Sequence, residues 1–527
     1  MRLVPLSVLM LVGGACSQAP TVHAPSAPPK PAIDVVELSA VEASERMAAG
    51  RLTSRALTQA YLDRIAAIDK AGPQLNSVIE LNPAALSDAD TFDAERKAGK
   101  VRGPLHGVPV LIKDNIDTAG MVNSAGSLAM VEHRPKQDAF AVGRLRAAGV
   151  VLLGRTNLSE WANIRSTRST SGWSSRGGQT KNPYVLDRNP CGSSSGTGTA
   201  IAASLGAVGV GTETDGSIIC PASVNGLVGL KPTVGVVSRQ GIIPISVSQD
   251  TAGPMGRSVA DVALLMNGLA GVDSSDPAGR AAEGHIPSNY LASLEREAVK
   301  GKRFGLLRQA MGFHPDVDRA MQAGIEALKA QGAEVIDVKL PTYNQWNDIE
   351  LEMLLYELKD GLNSYLKASG APVGSLEALI AWNKANAARV IPYFGQELFE
   401  RAQAKGPLTD PAYLKVQRES RRLAGKDGLL AALDRDTLDA IIAPSVSPAW
   451  PTDLVLGDHF VGAGYGMAAV AGTPSITVPV GESHGLPLGL TFMGRAYSEA
   501  SLIGFAYALE QRLRARRPPQ YKTTLIE

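Results

Sequence analysis

The chain has 527 residues, of which 44% are hydrophobic and 20% are charged, with 52 lysines and arginines against 51 aspartates and glutamates. This is the composition of a globular protein with a large core, and it excludes collagen-like repeats and extensive disorder. A net charge of +1 and an aromatic content of 5% provide neither a basic field nor many stacking side chains. We therefore expect no nucleic-acid partner.

The first 32 residues are predicted to lie outside the folded domain. A basic residue, an apolar run from Leu3 to Val12 and several small residues follow one another at the start. That order is typical of a signal peptide, and the run is shorter than the roughly 20 residues of a membrane-spanning helix. Cys16 occupies the place of the lipidated cysteine in bacterial lipoprotein signals, which the stretch resembles. We expect a signal peptide over 1–15, a Pro/Ala-rich tether over 16–32, and export to the periplasm or cell envelope, with membrane attachment if Cys16 is lipidated.

From residue 33 onward, helical and strand patterns alternate. A capping box at Ser39–Glu42 marks the start of the first of two predicted amphipathic helices. Apolar runs predict strands at Val108–Ile112, Val150–Gly154, Ala207–Val210, Leu227–Leu230, Phe304–Leu307, Glu334–Val338, Ala440–Ala443, Ser475–Val480 and Leu488–Phe492. Helical patterns lie between these runs, which is typical of an α/β fold. We predict one large domain over 33–527, with a mixed central β-sheet covered by helices on both faces.

A long helical stretch interrupts the strand pattern in the second half of the chain. It extends from about 343 to 434, with Gly370-Ala371-Pro372 as one break, and strands resume at Ala440. We predict a helical insertion here. Elements inserted beside an α/β sheet commonly shape a binding pocket.

Two loops rich in Ser, Thr and Gly are the strongest candidates for a functional site. The first, Cys191–Gly198, would by itself be typical of a flexible linker. It is followed, however, by a small-residue helix, the predicted strand Ala207–Val210 and the second loop, Gly211–Pro221. A flexible linker would not lie among buried elements. Small residues instead let two loops approach each other closely and direct backbone N–H groups at a ligand.

The two loops and their flanking motifs resemble the amidase signature family of serine hydrolases. Ser193 lies in the first loop, Ser217 in the second, and Lys113 ends a predicted strand. The resemblance extends over nearly the whole chain after the tether, through Gly103–Pro109, Lys113–Asn115, Gly154–Trp161, Gly226–Thr233, Asp250–Met255 and Gly485–Leu490. It implies the amidase signature fold and an amidase that acts on carbon–nitrogen bonds other than peptide bonds.

The resemblance also assigns roles to individual residues. Carried over position by position, it implies that Lys113, Ser193 and Ser217 are catalytic. The backbone N–H groups implied to form the oxyanion hole belong to Thr214, Asp215 and Gly216. The second loop departs from the family pattern, which has Gly where this chain has Asp215 and Arg where it has Ile219. The reactive positions are intact, and Asp215 retains its backbone N–H.

A physical argument supports these roles. A serine hydroxyl is a weak nucleophile until a neighbouring base accepts its proton, and a lysine can accept a proton only when neutral. Burial without a carboxylate close by would keep Lys113 neutral. Ser193 could then transfer the proton of Ser217 to Lys113 while Ser217 attacks an amide carbonyl.

Several substrates remain open from the sequence. Both serine loops are most similar to those of bacterial peptide amidases, so we expect hydrolysis of the C-terminal amide of peptides with release of ammonia. Aryl, lactam and fatty-acid amides are alternatives, because the pocket walls would come from the helical insertion. A glutamine-hydrolysing component of a tRNA-dependent transferase and a non-catalytic envelope-binding protein are further alternatives. Export argues against the former, and the intact reactive residues argue against the latter.

Histidines and cysteines add little to the candidate site. The seven histidines are scattered singly, without helical i, i+4 pairs or neighbouring cysteines. We therefore expect neither a metal site nor a cofactor. Cys191 and Cys220 are compatible with one disulfide bond, and the sequence leaves their free and bridged forms both open, as it does the oligomeric state.

Overall fold

Within the described residues, 33–525, one β-sheet of 11 strands passes through the molecule. The computed structural model thus leaves the predicted signal peptide, the tether and Cys16 outside the described residues. In chain order the strands are β1 (Val78–Leu81), β2 (Pro109–Lys113), β3 (Val151–Thr156), β4 (Val208–Glu213), β5 (Val228–Lys231), β6 (Thr251–Gly256), β7 (Arg303–Leu307), β8 (Glu334–Val338), β9 (Ala440–Pro444), β10 (Ser475–Ser483) and β11 (Leu486–Met493). Their order across the sheet is β1-β3-β2-β4-β6-β5-β10-β11-β9-β7-β8.

The sheet is mixed in strand direction. Strand β2 pairs in parallel with β3 and β4, and β7 pairs in parallel with β8 and β9. The remaining neighbours are antiparallel. All residues of β2, β3 and β4 are buried, as expected for parallel strands covered on both faces. The predicted α/β fold with a mixed central sheet is confirmed.

Helices flank this sheet. In chain order they are α1 (Ala40–Ala48), α2 (Ser54–Arg64), α3 (Ala85–Lys97), α4 (Phe140–Ala147), α5 (Ser195–Ala202), α6 (Ile219–Val224), α7 (Val259–Leu269), α8 (Pro277–Ala281), α9 (Pro315–Ala330), α10 (Asn347–Ser369), α11 (Leu376–Ala385), α12 (Ala387–Val390), α13 (Glu397–Gln403), α14 (Pro411–Arg421), α15 (Leu430–Arg435), α16 (Gly466–Ala471) and α17 (Glu499–Leu513). Short 3-10 helices lie at Leu128–Met130, Glu160–Asn163, Tyr290–Ser293 and Arg308–Ala310, and π-helical segments at Ile65–Asp69 and Arg422–Leu429. A two-stranded ribbon pairs Trp173–Ser174 with Gly178–Gln179.

The helical stretch in the second half of the chain packs against a loop that leads into β6. Helices α10 to α15 occupy this stretch. Gly370, which follows the last residue of α10, has a φ of 66° and ends this helix at the predicted break. Glu357 of α10 accepts hydrogen bonds from Ser248 Oγ at 2.6 Å and from Tyr413 Oη at 2.8 Å. The helices therefore lie over the segment that precedes Asp250.

Strands β1 and β6 were not predicted. β1 has only four residues and only one of them is buried. β6 has the sequence Thr-Ala-Gly-Pro-Met-Gly, and its Pro and Gly residues disfavour a central strand. It is nevertheless enclosed between β4 and β5, where a side chain at Gly253 would clash with the carbonyl oxygen of Leu230. Close packing of its backbone against β4 and β5, rather than the strand propensity of its residues, therefore determines that β6 forms.

Within residues 33–525, every helix is too short or too polar to cross a membrane.

Candidate active site

Lys113 lies at the C-terminal end of β2 and is fully buried. Its Nζ lies 2.8 Å from Ser193 Oγ and 3.0 Å from Ser194 Oγ. It also lies 2.9 Å from Thr212 Oγ1 and 3.3 Å from the Thr212 carbonyl oxygen, on the neighbouring strand β4. All four neighbours are neutral oxygens, so no carboxylate in the described residues forms an ion pair with this amine. The structure brings Lys113 and Ser193 together as predicted.

Thr212 and Ser194 are contacts of Lys113 that the sequence argument did not identify. Asn115 donates from Nδ2 to Thr212 Oγ1 at 3.0 Å, and Ser194 donates from Oγ to the Thr212 carbonyl at 3.0 Å. These bonds hold two oxygens in position around Nζ. The one sequence signal for the contact between Thr212 and Lys113 is that Thr212 lies in the Gly211–Pro221 loop motif.

Ser193 and Ser217 lie in adjacent segments, each just before a short helix. Ser193 precedes α5, which is entirely buried, and Ser217 precedes α6. The backbone N–H of Ser194 donates to the Ser217 carbonyl at 3.2 Å. A disulfide bond between Cys191 and Cys220, with Cα atoms 6.0 Å apart, ties the same two segments together. Of the two forms that the sequence left open, the structure contains the bridged one.

The hydroxyl of Ser217 is the more open of the two. Ser217 is 9% exposed, whereas Ser193 is completely buried. Among the described residues, no hydrogen bond joins the two hydroxyls, and the Ser217 hydroxyl has no other partner. Substrate-free active sites often have longer catalytic contacts than their complexes. Ser217 is thus the serine that a substrate can reach.

Burial lowers the pKa of Lys113 to about 7, while the more distant carboxyls of Glu213 and Asp250 act in the opposite direction. The expectation that no carboxylate lies near Lys113 was therefore incomplete, because Glu213 and Asp250 are close enough to affect its pKa. Both carboxyls are buried as well, and burial raises the pKa of Glu213 and raises that of Asp250 to about 6. Desolvation dominates at Lys113, so a large part of this lysine is neutral near pH 7.

The loop before Ser217 presents backbone N–H groups. Within the described part of the chain, those of Thr214, Asp215 and Ser217 have no hydrogen-bond acceptor. The N–H of Gly216 acts on the Glu213 carboxyl and lowers its pKa, so this predicted donor is directed partly inward. Gly216 has a φ of 77°, and a side chain there would overlap the ring of Tyr465, so only glycine fits.

Glu213 holds the start of α6. Its Oε2 accepts hydrogen bonds from the backbone N–H of Ile218 at 2.7 Å and of Ile219 at 3.0 Å. Ile219 stands where the family pattern has an arginine, and here backbone N–H groups bind Oε2, while the buried Oε1 has no hydrogen-bond partner among the described residues. Glu213 therefore holds the loop around Ser217 to the start of α6 although the chain has no arginine at position 219.

A buried ion pair supports β2 from the other side. Arg155 Nε donates to Asp114 Oδ1 at 2.8 Å, and both side chains are completely buried. Arg155 belongs to β3 and Asp114 directly follows Lys113. Asp114 also pairs with Arg176 Nη1 at 3.1 Å, so loss of Asp114 is the change that would leave the buried Arg155 charge uncompensated, which typically costs about 3–5 kcal/mol. The pair therefore fixes the end of β2, where Lys113 lies.

This arrangement can perform acyl transfer. A neutral amine beside a buried hydroxyl can accept its proton, and the free N–H groups can stabilise an oxyanion formed at Ser217. Over the described residues, no cluster of three or more His, Cys, Asp or Glu side chains could hold a metal ion.

Comparison with known proteins shows similarity to amidases in sequence and in structure. The sequence model of the amidase family matches residues 56–503. Native peptide amidase from Stenotrophomonas maltophilia is similar in structure: it is 52% identical, superimposes with a TM-score of 0.89, and the match covers 92% of this chain and 99% of that one.

Two curated relatives are more distant. A relative from Arabidopsis thaliana that bears an amidase name is 39% identical over 483 residues, which are 89% of this chain and 89% of that protein. One component of the glutamyl-tRNA(Gln) amidotransferase from Halorhodospira halophila is 34% identical over 496 residues, covering 89% of this chain and 96% of that protein.

Removing the disulfide bond should destabilise the two serine segments. The bond closes a loop with a sequence separation of 29, for which the loss of chain entropy predicts about 3–4 kcal/mol of stability. We expect the double variant Cys191→Ser/Cys220→Ser to unfold at lower urea concentration than the wild type. Treating the wild type with a reductant should produce a similar shift, and the same reductant should not affect the double variant. Identical unfolding midpoints for all samples would contradict a stabilising bond.

Proposed function

The chain belongs to the amidase signature family and is an amidase, and from that premise we propose that it releases ammonia from the C-terminal amide of peptides by a Ser-Ser-Lys mechanism. The observation that carries the mechanism is the buried contact between Lys113 Nζ and Ser193 Oγ at 2.8 Å, without a paired carboxylate. The similarity to a peptide amidase over almost the whole chain supports the substrate class.

In the first half of the proposed reaction, Ser217 Oγ attacks the amide carbonyl carbon. Its proton passes to Ser193 Oγ, while Ser193 gives its own proton to neutral Lys113. Backbone N–H groups of the Ser217 loop, above all that of Asp215, stabilise the oxyanion of the tetrahedral intermediate. Ser193 then donates a proton to the leaving nitrogen and Lys113 returns one to Ser193. The carbon–nitrogen bond breaks, ammonia leaves, and an ester joins the acyl group to Ser217.

In the second half, water replaces ammonia. A water molecule attacks the ester carbonyl and gives its proton to the same Ser193–Lys113 pair. The tetrahedral intermediate collapses, Ser217 takes back a proton, and the carboxylic acid leaves. Because Lys113 begins and ends neutral, one base serves both halves of the reaction.

The proposed preference for a primary amide depends on space beyond the scissile bond. Ammonia is small, whereas cleavage within a peptide requires room for a second chain on the leaving-group side. The loop over Ser246–Asp250 lies next to the Ser217 loop, and Asp250 Oδ1 accepts a hydrogen bond from Thr214 Oγ1 at 2.6 Å. Helix α10 holds that loop in place through Glu357. A closed leaving-group side would favour the primary amide by exclusion.

A panel of substrates tests the proposed function. We expect ammonia release from short peptide amides and little fragment release from longer peptides of the same sequence, both followed by liquid chromatography. Anilides, lactams, long-chain fatty amides and free glutamine complete the panel. Dominant cleavage within peptides, or activity confined to one of the other classes, would contradict the peptide-amide assignment while leaving the amidase assignment intact.

Covalent labelling tests the proposed nucleophile. A fluorophosphonate should modify Ser217, because its hydroxyl is the accessible one, and tandem mass spectrometry should locate the adduct there. Ser217→Ala should remain folded and lose activity by about 10⁶-fold, as expected for a nucleophile. Ser195→Ala is a control, since Ser195 Oγ donates to the Cys191 carbonyl at 2.6 Å and does not contact Lys113. An adduct on Ser193, Ser194 or Ser195 would overturn the assignment.

The pH dependence tests the proposed base. Lys113 accepts a proton only when neutral, and its pKa is lowered to about 7. The kcat/KM should therefore rise about tenfold per pH unit below pH 7 and level off above about pH 8. Lys113→Arg should be at least about 10³-fold less active at every pH, because a guanidinium does not deprotonate. A variant with nearly wild-type rates would exclude Lys113 as the base.

We further propose that the protein is exported. The apolar run from Leu3 to Val12 suggests it, and the disulfide bond between Cys191 and Cys220 supports it, because such bonds persist in oxidising compartments. Expressed in a Gram-negative host, the mature protein should begin at Cys16 and fractionate with the envelope. Cys16→Ser should release it into the soluble periplasm. A full-length cytoplasmic product would contradict export, and an unchanged envelope fraction for Cys16→Ser would contradict lipidation.

A further inference from the structure

A cavity of about 480 Å³ lies beside the Ser217 loop. Residues from that loop, from the segment between β7 and α9, from the start of α10 and from the segment before α16 line it, including Asp215, Phe313, Trp346, Glu350, Phe460 and Tyr465. Asp215 is two residues before Ser217, so this wall of the cavity lies within about 7 Å of the Ser217 backbone. Among the described residues, the lining has two carboxyl groups and no lysine, arginine or histidine.

Neither carboxyl group has a cationic partner within ion-pair distance in the described residues. Asp215 is exposed to the cavity and accepts no hydrogen bond. Glu350 is only 6% exposed; its Oε1 accepts from Gln249 Nε2 at 2.7 Å, and its Oε2 has no partner. The charge of buried Lys231 reaches Asp215, but its Nζ donates to the Pro232 carbonyl at 3.1 Å. An unpaired carboxylate as buried as that of Glu350 is costly unless a ligand compensates its charge.

Trp346 supplies a second, independent feature of the cavity. Its side chain is 2% exposed, and its indole N–H has no acceptor in the described part of the chain. A methyl group built on Gly466 would lie 3.6 Å from Asp215 Oδ1 and 3.8 Å from Trp346 Nε1. One position in the cavity therefore lies close to a carboxylate and to a free hydrogen-bond donor. The ring is otherwise buried, so the accessible N–H can donate to a polar ligand in the cavity.

The side chain of Asp215 has no role in the proposed reaction. Only its backbone N–H is needed for the oxyanion, and related loops have glycine at this position. The carboxylate is thus an addition that the chemistry at Ser217 does not explain. Because this carboxylate lines the cavity, it can contact a part of the substrate that is remote from the reacting bond.

We infer that this cavity binds a positively charged group of the substrate between Asp215 and Glu350, while Trp346 donates to a substrate carbonyl. The cation is the α-ammonium of a short peptide amide or the ammonium or guanidinium of a basic side chain. The aromatic and apolar walls accommodate the carbon atoms that connect the cation to the amide. This inference rests on the proposed function, and it adds charge selectivity to it.

The protonation of the two carboxyls agrees with such a role. Although Asp215 is open to the cavity, the surrounding protein and the neighbouring Glu213 raise its pKa to about 7. Burial and the charge of Asp215 raise the pKa of Glu350 well above its usual range. A cation between them would favour ionisation of both carboxyls and would gain two charged contacts.

Matched dipeptide amides test the inference. Acetyl-norleucyl-phenylalaninamide is the neutral reference, and acetyl-lysyl-phenylalaninamide adds a side-chain ammonium to nearly the same shape. Free leucyl-phenylalaninamide, compared with its acetylated form, has an α-ammonium in place of the neutral acetamide, and acetyl-glutamyl-phenylalaninamide adds a negative charge. At low ionic strength we expect kcat/KM for one of the cationic substrates to exceed its neutral match by about tenfold or more, and the acidic substrate to be the poorest.

Variants locate the effect. In Glu350→Gln and Asp215→Asn, the ratio of kcat/KM between cationic and neutral substrates should fall toward one. A merely structural role would lower both rates together and leave the ratio unchanged. Glu352→Gln is the matched control, because Glu352 lies on the same helix but pairs with Lys405. Its ratio should equal that of the wild type.

The outcomes separate this inference from the proposed function. Equal kcat/KM for all charges in the wild type would overturn the inference while leaving peptide-amide hydrolysis intact. If no peptide amide is hydrolysed, the proposed function fails, and isothermal titration of the Ser217→Ala variant still tests the cavity. Tighter binding of the cationic member of at least one pair, lost when Glu350→Gln is added, would support it. Equal dissociation constants would overturn it.

Discussion

The burial of Lys113 without an ion pair is the constraint on which the rest of the site depends. An amine in this position would remain charged if a carboxylate lay beside it, and it would then be a poor base. The protein surrounds Nζ with neutral oxygens from Ser193, Ser194 and Thr212 instead. The next residue, Asp114, pairs with Arg155 and not with Lys113. At the end of β2, the unpaired amine of Lys113 is thus followed directly by Asp114, which forms a buried ion pair.

Small residues make this arrangement sterically feasible. Side chains at Gly196 and Gly211 would clash with the backbone at Asn157 and with the Ser194 hydroxyl, respectively. Helix α5 can therefore pack against β3 and β4 closely enough for Ser193 to reach Lys113. The disulfide bond then joins the two serine segments from outside. Close packing positions the base, and the covalent bond limits how far the two loops can separate.

The charges around the site fall into two groups with different roles. Glu213 Oε2 and Asp250 accept hydrogen bonds from backbone N–H groups, and Asp250 also accepts one from Thr214, so they hold the loops that surround Ser217. Asp215 and Glu350 lack such partners and line a cavity. The first pair stabilises the catalytic geometry, whereas the second can contribute only when a ligand is bound. This division separates the reaction, which needs a neutral environment, from recognition, which can use charge.

Local pattern was sufficient for most strands and for the α/β fold, because apolar runs are properties of consecutive residues, whereas the joint role of Lys113 and Ser193 came from the family resemblance of the motifs that contain them. Local pattern was insufficient for β6, whose glycines and proline form a strand only because β4 and β5 enclose it. Thr212 and the disulfide bond depend on how two loops meet. Glu350 and Trp346 carry no local signal, since α10 must fold over the Ser217 loop before they face Asp215. Residues distant in the chain acquire a shared role only through packing, and the composition of each segment does not encode that contact.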